Sequence, residues 1–300
     1  MGAGAYLLWG LFPLYFNALI PSGPDEVLAH RIVWSAVLCL VLVSVLGGWA
    51  SLLKVMRSRS SLLALTVAAV LIAGNWFIYV VAVTTGHVVE AALGYYINPL
   101  VTVLLGVFFL GERLRPLQWA ACALALVSVL VISIAYGRPP WMSFALALTF
   151  GFYGLVKNKV GRTVRPMESL SVETWVLFLP ALGWLVFMAA DGTLTFGHVS
   201  GLHTTLMALS GVFTAIPLLL FAGAAARIPL SLVGLLQYLT PTTQLLLGVF
   251  VMGEHMSVSR WVGFGFIWVA LVILSVDMVR SSRRRPAAEP GLTGGVREDA

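Results

Sequence analysis

A small set of polar and ionisable side chains interrupts long apolar stretches of this 300-residue chain, and their types and spacing define the chemistry within its reach. Glu26 and His30 stand four residues apart, one helical turn, so they share a face; Arg31 follows at once, and His87 and Glu90 open a later stretch. Arg31 and Glu90 carry opposite signs a few residues inside apolar boundaries, and are expected to pair. Glu26, His30, Arg31 and Glu90 therefore form a candidate gate or proton-coupling group, with His30 titrating in the useful range; a static staple is the competing reading. A second set surrounds two prolines: Tyr95, Tyr96 and Asn98 precede Pro99, while Gln237, Tyr238 and Thr240 precede Pro241. Proline removes a backbone hydrogen bond and frees a carbonyl, which is tolerated within a membrane where it lines a cavity. With Asn75, Trp76 and Tyr153, the residues Tyr95, Asn98, Pro99, Gln237, Tyr238 and Pro241 make up the candidate lining of a binding site. Trp9, Trp34 and Tyr79 would extend its aromatic wall. The alternative is a pair of kinks whose polar neighbours make interhelical hydrogen bonds.

Other chemistries lack their residues. Cys39 and Cys122 sit in separate apolar stretches with neither metal-ligand spacing nor a disulfide framework. His198, His203 and His255 have no partners at metal spacing. There is no Ser-His-Asp order and no Gly-rich phosphate loop, so no metal, cofactor or enzymatic centre is expected.

The elements that must position these residues follow from composition. Hydrophobic residues make up 60% of the chain and charged residues 10%, too apolar for a water-soluble domain to clothe itself. A bilayer core of roughly 30 Å needs about 20 apolar residues per helical crossing. Residues 3–20, 27–47, 61–83, 89–110, 116–136, 141–156, 172–190, 204–225, 230–252 and 258–278 each read as a crossing, bounded by charge, Gly or Pro. They are apolar all round and not alternating, which predicts helices and excludes a β-barrel. The first lacks a basic leader and a small-residue cleavage site, and reads as a true helix. Fifteen of the eighteen Lys and Arg residues fall on one set of alternate loops and the termini; only Arg31, Arg138 and Arg260 fall on the other. Basic residues mark the cytoplasmic side, so both termini are expected inside. The formal charge of +6 is spread over these short loops, which makes it a topology signal and not a nucleic-acid footprint. Residues 279–300, basic and then rich in Pro, Gly and Ala, predict a disordered tail held at anionic headgroups.

Sliding the chain by 142 residues superimposes Tyr96 on Tyr238, Pro99 on Pro241, Gly106-Val107-Phe108 on Gly248-Val249-Phe250, Gly111-Glu112 on Gly253-Glu254 and Trp119 on Trp261. The unit is five crossings, residues 1–138, repeated in 139–278. Five is odd, so the second copy enters from the opposite side. Inverted repeats suit a carrier that exposes one central site to each face in turn.

The same residues resemble the RarD-type proteins of the EamA family, within the drug/metabolite transporter superfamily. The segments that carry the likeness are Asp25 to Ser35, Gly74-Asn75-Trp76, Glu90 to Pro99, Gly111-Glu112-Arg113, Phe152 to Val156, Gln237-Tyr238 with Pro241-Thr242, and Phe266-Ile267-Trp268. The resemblance implies a bacterial cytoplasmic-membrane permease of ten helices in two EamA units. A secondary carrier for a small organic metabolite or drug, working without ATP, is the expected function, with protons a candidate coupling ion and oligomeric state open. A channel-like pore, or a non-transporting scaffold or receptor, is the alternative.

Overall fold

A computed structural model describes residues 2–111, 113–161, 163–225 and 236–284. All its regular elements are helical: α1 (Gly2–Gly10), α2 (Phe12–Asn17), α3 (Pro24–Val45), α4 (Trp49–Arg57), α5 (Arg59–Thr84), α6 (Val88–Leu110), α7 (Pro116–Tyr136), α8 (Trp141–Val160), α9 (Pro166–Asp191), α10 (Gly201–Ala208), α11 (Ser210–Ala225), α12 (Leu239–Leu246) and α13 (Val258–Arg284). Leu247–Val251 continues α12 as a π-helical turn.

The boundaries follow local chemistry. Pro24, Pro116 and Pro166 each occupy a first turn, where a missing N–H leaves no bond unmade. Asp25 and Glu26 add negative charge at the positive end of α3. Gly111 and Gly192 close α6 and α9 at φ of 68° and 75°, a backbone region that glycine enters without steric cost.

Among the described residues, six helices are long and apolar enough to cross a membrane: α3, α5, α6, α7, α9 and α13. Their outer surfaces are as apolar as their packed ones. Phe108 is 77% exposed and Ile134 81%, which in water would be unfavourable and against hydrocarbon is not. The remaining expected crossings are α8, at 20 residues, and three interrupted ones. The first breaks between α1 and α2, and the eighth between α10 and α11. The ninth carries a turn at Gln237–Tyr238 within its described part; residues 226–235, where its start was expected, lie outside the described residues.

Several expectations change at this level. Pro99 does not break its helix, because α6 runs unbroken from Val88 to Leu110, and Thr102 Oγ1 donates to the Asn98 carbonyl at 3.0 Å. Pro241 instead lies in the first turn of α12, so only the second proline marks an interruption. The crossings at 141–156 and 172–190 extend outward, to Val160 and back to Pro166. The last helix runs to Arg284, past the expected boundary at 278, and residues 285–300 of the expected tail lie outside the described residues.

Helix partners are exchange-related. The most extensive pair is α7 with α13. Beside it, α6 packs on α8 and α1 on α12; α5 packs on α8 and α1 on α11; α5 packs on α9 and α3 on α11. The pairs α3 with α9 and α6 with α12 complete the set. Small residues allow the closest of these approaches. A Cβ on Gly211 would fall 2.5 Å from the Trp34 backbone, and one on Gly94 2.9 Å from the Ser143 carbonyl oxygen.

Candidate functional site

Where α1, α2, α3, α5, α6, α11 and α12 converge, the chain buries a cation. Arg31 is the eighth residue of α3, about 10 Å from the helix start. It is 5% exposed. Its guanidinium lies 4.1 Å from the Trp76 ring centroid, 5.4 Å from that of Phe12 and 5.7 Å from that of Phe16. Arg31 Nε donates to Thr214 Oγ1 at 2.9 Å, and that hydroxyl in turn donates a hydrogen bond to the Ser210 carbonyl. Tyr79 packs edge-on against Phe16 and Tyr95.

Asn75 adjoins this group and is satisfied. Its amide donates to the Leu146 carbonyl and to Thr149 Oγ1, each at 3.0 Å, and its oxygen accepts from the Tyr95 hydroxyl at 3.4 Å. It therefore ties α5 to α8 and α6. Asn98, one turn beyond Tyr95, is buried with an amide oxygen that has no hydrogen-bond partner among the described residues. In α12 the buried amide is Gln244, 1% exposed, whose nitrogen donates to the Trp9 carbonyl at 3.4 Å.

The expected Arg31–Glu90 pair does not form. Glu90 accepts from Arg138 Nη2 at 3.1 Å and from the Met142 amide at 3.0 Å, fastening α6 to the start of α8. Glu26 and His30 do come together, but not as a bonded pair. The His30 ring sits 4.0 Å from Glu26 Oε1, beyond hydrogen-bond range, and stacks on Phe196 at 4.5 Å. Glu26 instead accepts from the Thr195 and Phe196 amides and the Thr195 hydroxyl, at 3.0, 2.9 and 2.8 Å. Thr195 Oγ1 meets Ser22 Oγ at 2.5 Å, and Ser22 meets His203 Nε2 at 2.8 Å. This buried chain closes the segment after α9 over the start of α3.

Three other expected lining residues lie elsewhere. Tyr238 packs against the cluster that α6, α7 and α13 form, beside Tyr96 and Phe264, and Gln237 is half-buried in the turn before α12. Tyr153 reaches Glu173, its hydroxyl donating at 3.2 Å. Glu173 also holds Lys157 at 2.6 Å, and Ser169 bonds to both. A small cavity bounded by Ile32, Ile72, Trp76, Leu170, Glu173, Thr174 and Leu177 lies between this pair and Trp76. Beyond α12, Glu254 caps α6 from a distance by accepting from the Val88 and Val89 amides. Burial holds its carboxyl above the usual range, against the pull of those two amides.

Sequence reasoning missed Gln244, Thr214 and the Lys157–Glu173 pair. Gln244 carried a signal, as an amide within an apolar run. Lys157 lay one residue beyond the apolar window 141–156 and Glu173 at the edge of 172–190, where opposite charges that neutralise each other let two helices extend. Thr214 gave none, since Thr is unremarkable in an apolar helix.

An apolar helical bundle around the buried Arg31 is a membrane protein's interior, and comparison with known proteins gives it a lineage. The EamA-like transporter family description matches residues 1–134 and again 140–276. The chain belongs to that family. It is 48% identical to Protein RarD of Streptomyces exfoliatus over 95% of this chain and 90% of that protein. It is 39% identical to Protein RarD of Escherichia coli K12, over 95% of each. An uncharacterized transporter of Pseudomonas aeruginosa is 44% identical over 97% of this chain and 96% of its own length. A crystal structure at 20% identity shares the fold, with a TM-score of 0.61 over 93% of this chain and 97% of that one. This EamA-like chain is thus a multi-pass membrane protein of a bacterial transporter family.

Proposed function

We propose that the protein is a secondary carrier that moves a small organic solute across the bacterial cytoplasmic membrane by alternating access. The observation that carries this reading is the buried polar and aromatic constellation of Arg31, Trp76, Tyr79, Asn75 and Gln244 between the two matched halves. Such groups are unfavourable in a bundle that needs only packing. The exchange-related helix partners favour ten crossings in two inverted five-helix units, with both termini cytoplasmic. In this reading the Glu26–Thr195–Ser22–His203 chain is the closed external gate, and α1, α10–α11 and α12 are the interrupted helices that move.

Proteoliposomes loaded with unlabelled metabolites and drugs test it, with and without an imposed pH gradient. A carrier accelerates entry of labelled solute when the same solute waits inside, whereas a pore conducts without that exchange. Leakage without trans-stimulation would favour the channel-like alternative.

A further inference from the structure

The geometry points to a carboxylate on the transported solute as the missing partner of Arg31, an inference that rests on the carrier reading above. A guanidinium carries five N–H donors and keeps its charge at any physiological pH. Among the described residues Arg31 makes one hydrogen bond, through Nε to Thr214, and its Nη1 has none. The faces of Phe12, Phe16 and Trp76 attract the charge but accept no N–H in its plane.

Among the described residues no carboxylate is bonded to Arg31, and those near the bundle's polar groups are held elsewhere. Glu26 is bound to the 195–196 segment, Glu90 to Arg138 and Met142, and Glu173 to Lys157 and Ser169. Asp25 accepts from Trp184. The nearby Tyr79 hydroxyl adjoins the Gln244 side chain. Gln244 thus brings an amide to the same region, but an amide oxygen does not neutralise a cation. The site therefore offers a cation and donors and lacks a negatively charged acceptor. A carboxylate supplies that charge and about four lone-pair positions, and its plane matches the guanidinium fork. The ring faces around it would seat an apolar body, so the ligand class is a small monocarboxylate with an aromatic or aliphatic body.

The test uses purified full-length protein in detergent, with benzoate, phenylacetate and hexanoate as probes, their amides as neutral controls and phenylphosphonate as a second anion. Thermal unfolding is followed at increasing probe concentration. At least one carboxylate should raise the melting temperature saturably while its amide does not. Arg31→Lys, which keeps the charge but not the fork, should weaken the apparent Kd at least tenfold. Arg31→Gln should abolish the shift and, by removing an uncompensated buried charge, should melt no lower than the parent without ligand. Should Arg31→Gln fail to accumulate, the carboxylate-against-amide contrast and Arg31→Lys decide the matter. Equal shifts from amides and carboxylates, undiminished shifts in Arg31→Lys, or a response to phenylphosphonate alone would overturn the assignment. Uptake of neutral solutes that survives Arg31→Gln would leave the carrier reading standing and remove this one. Carboxylate binding without uptake would do the reverse.

Discussion

Glu90 decides between two accounts of the charged residues. Its carboxylate, 1% exposed, accepts a backbone amide and a guanidinium from the start of α8, and neither comes from Arg31. Glu90→Gln removes a charged acceptor from both, a loss of about 1.5–3 kcal/mol. It should lower the melting temperature by several degrees, and adding Arg31→Gln should not restore it. Recovery in the double variant would re-establish an Arg31–Glu90 pair. Arg138→Gln should be milder, about 1 kcal/mol or less, since that side chain is 40% exposed and water replaces much of what it gives. Asn75 bonds Tyr95 and Arg31 stacks on Trp76, although the sequence placed Arg31 with the other charged groups and not with that lining. It paired Arg31 wrongly because depth and sign are legible in a sequence, whereas the azimuth of a side chain around its helix is set by packing.

The long apolar helices were legible, since apolar length and flanking charge determine them, whereas the short, polar-flanked α4 was read as a loop. Helix ends and interruptions were less so. The break at Leu11 follows from Pro13 in the first turn of α2, yet Pro99 sits in an unbroken α6, so proline alone does not predict a break. Close helix contacts were invisible in sequence and are now testable. Gly211→Ala puts a methyl group 2.5 Å from the Trp34 backbone and forces α3 from α11. It should cost about 1–3 kcal/mol, read as a lowered melting temperature in detergent. Gly74→Ala, which meets nothing within 4 Å inside α5, should be neutral or slightly stabilising. A stable Gly211→Ala would mean that α3 and α11 do not pack as closely as described.

At the scale of the molecule, the account requires that the segment after α9 open from α3. Ser22 and Thr195 face each other across that closure. In a Cys39→Ala, Cys122→Ala background, Ser22→Cys with Thr195→Cys should cross-link under mild oxidation, stop transport, and recover on reduction. Transport that continues through the cross-linked protein would remove this contact from the gate. The orientation proposed from the basic residues is checked by a reporter fused after Arg280, which should be active only in the cytoplasm.

The central claim is that this bundle carries a small organic solute through the polar constellation between its halves. Purified protein in liposomes, exposed to a defined mixture of metabolites and drugs and read by mass spectrometry of the vesicle contents, tests it most directly. The account predicts that at least one small organic solute accumulates saturably above protein-free vesicles, and that Asn75→Leu and Gln244→Leu, though inserted normally, lose that uptake. Uptake that both variants retain in full would contradict the site, and vesicle contents indistinguishable from protein-free controls under every imposed gradient would contradict the carrier.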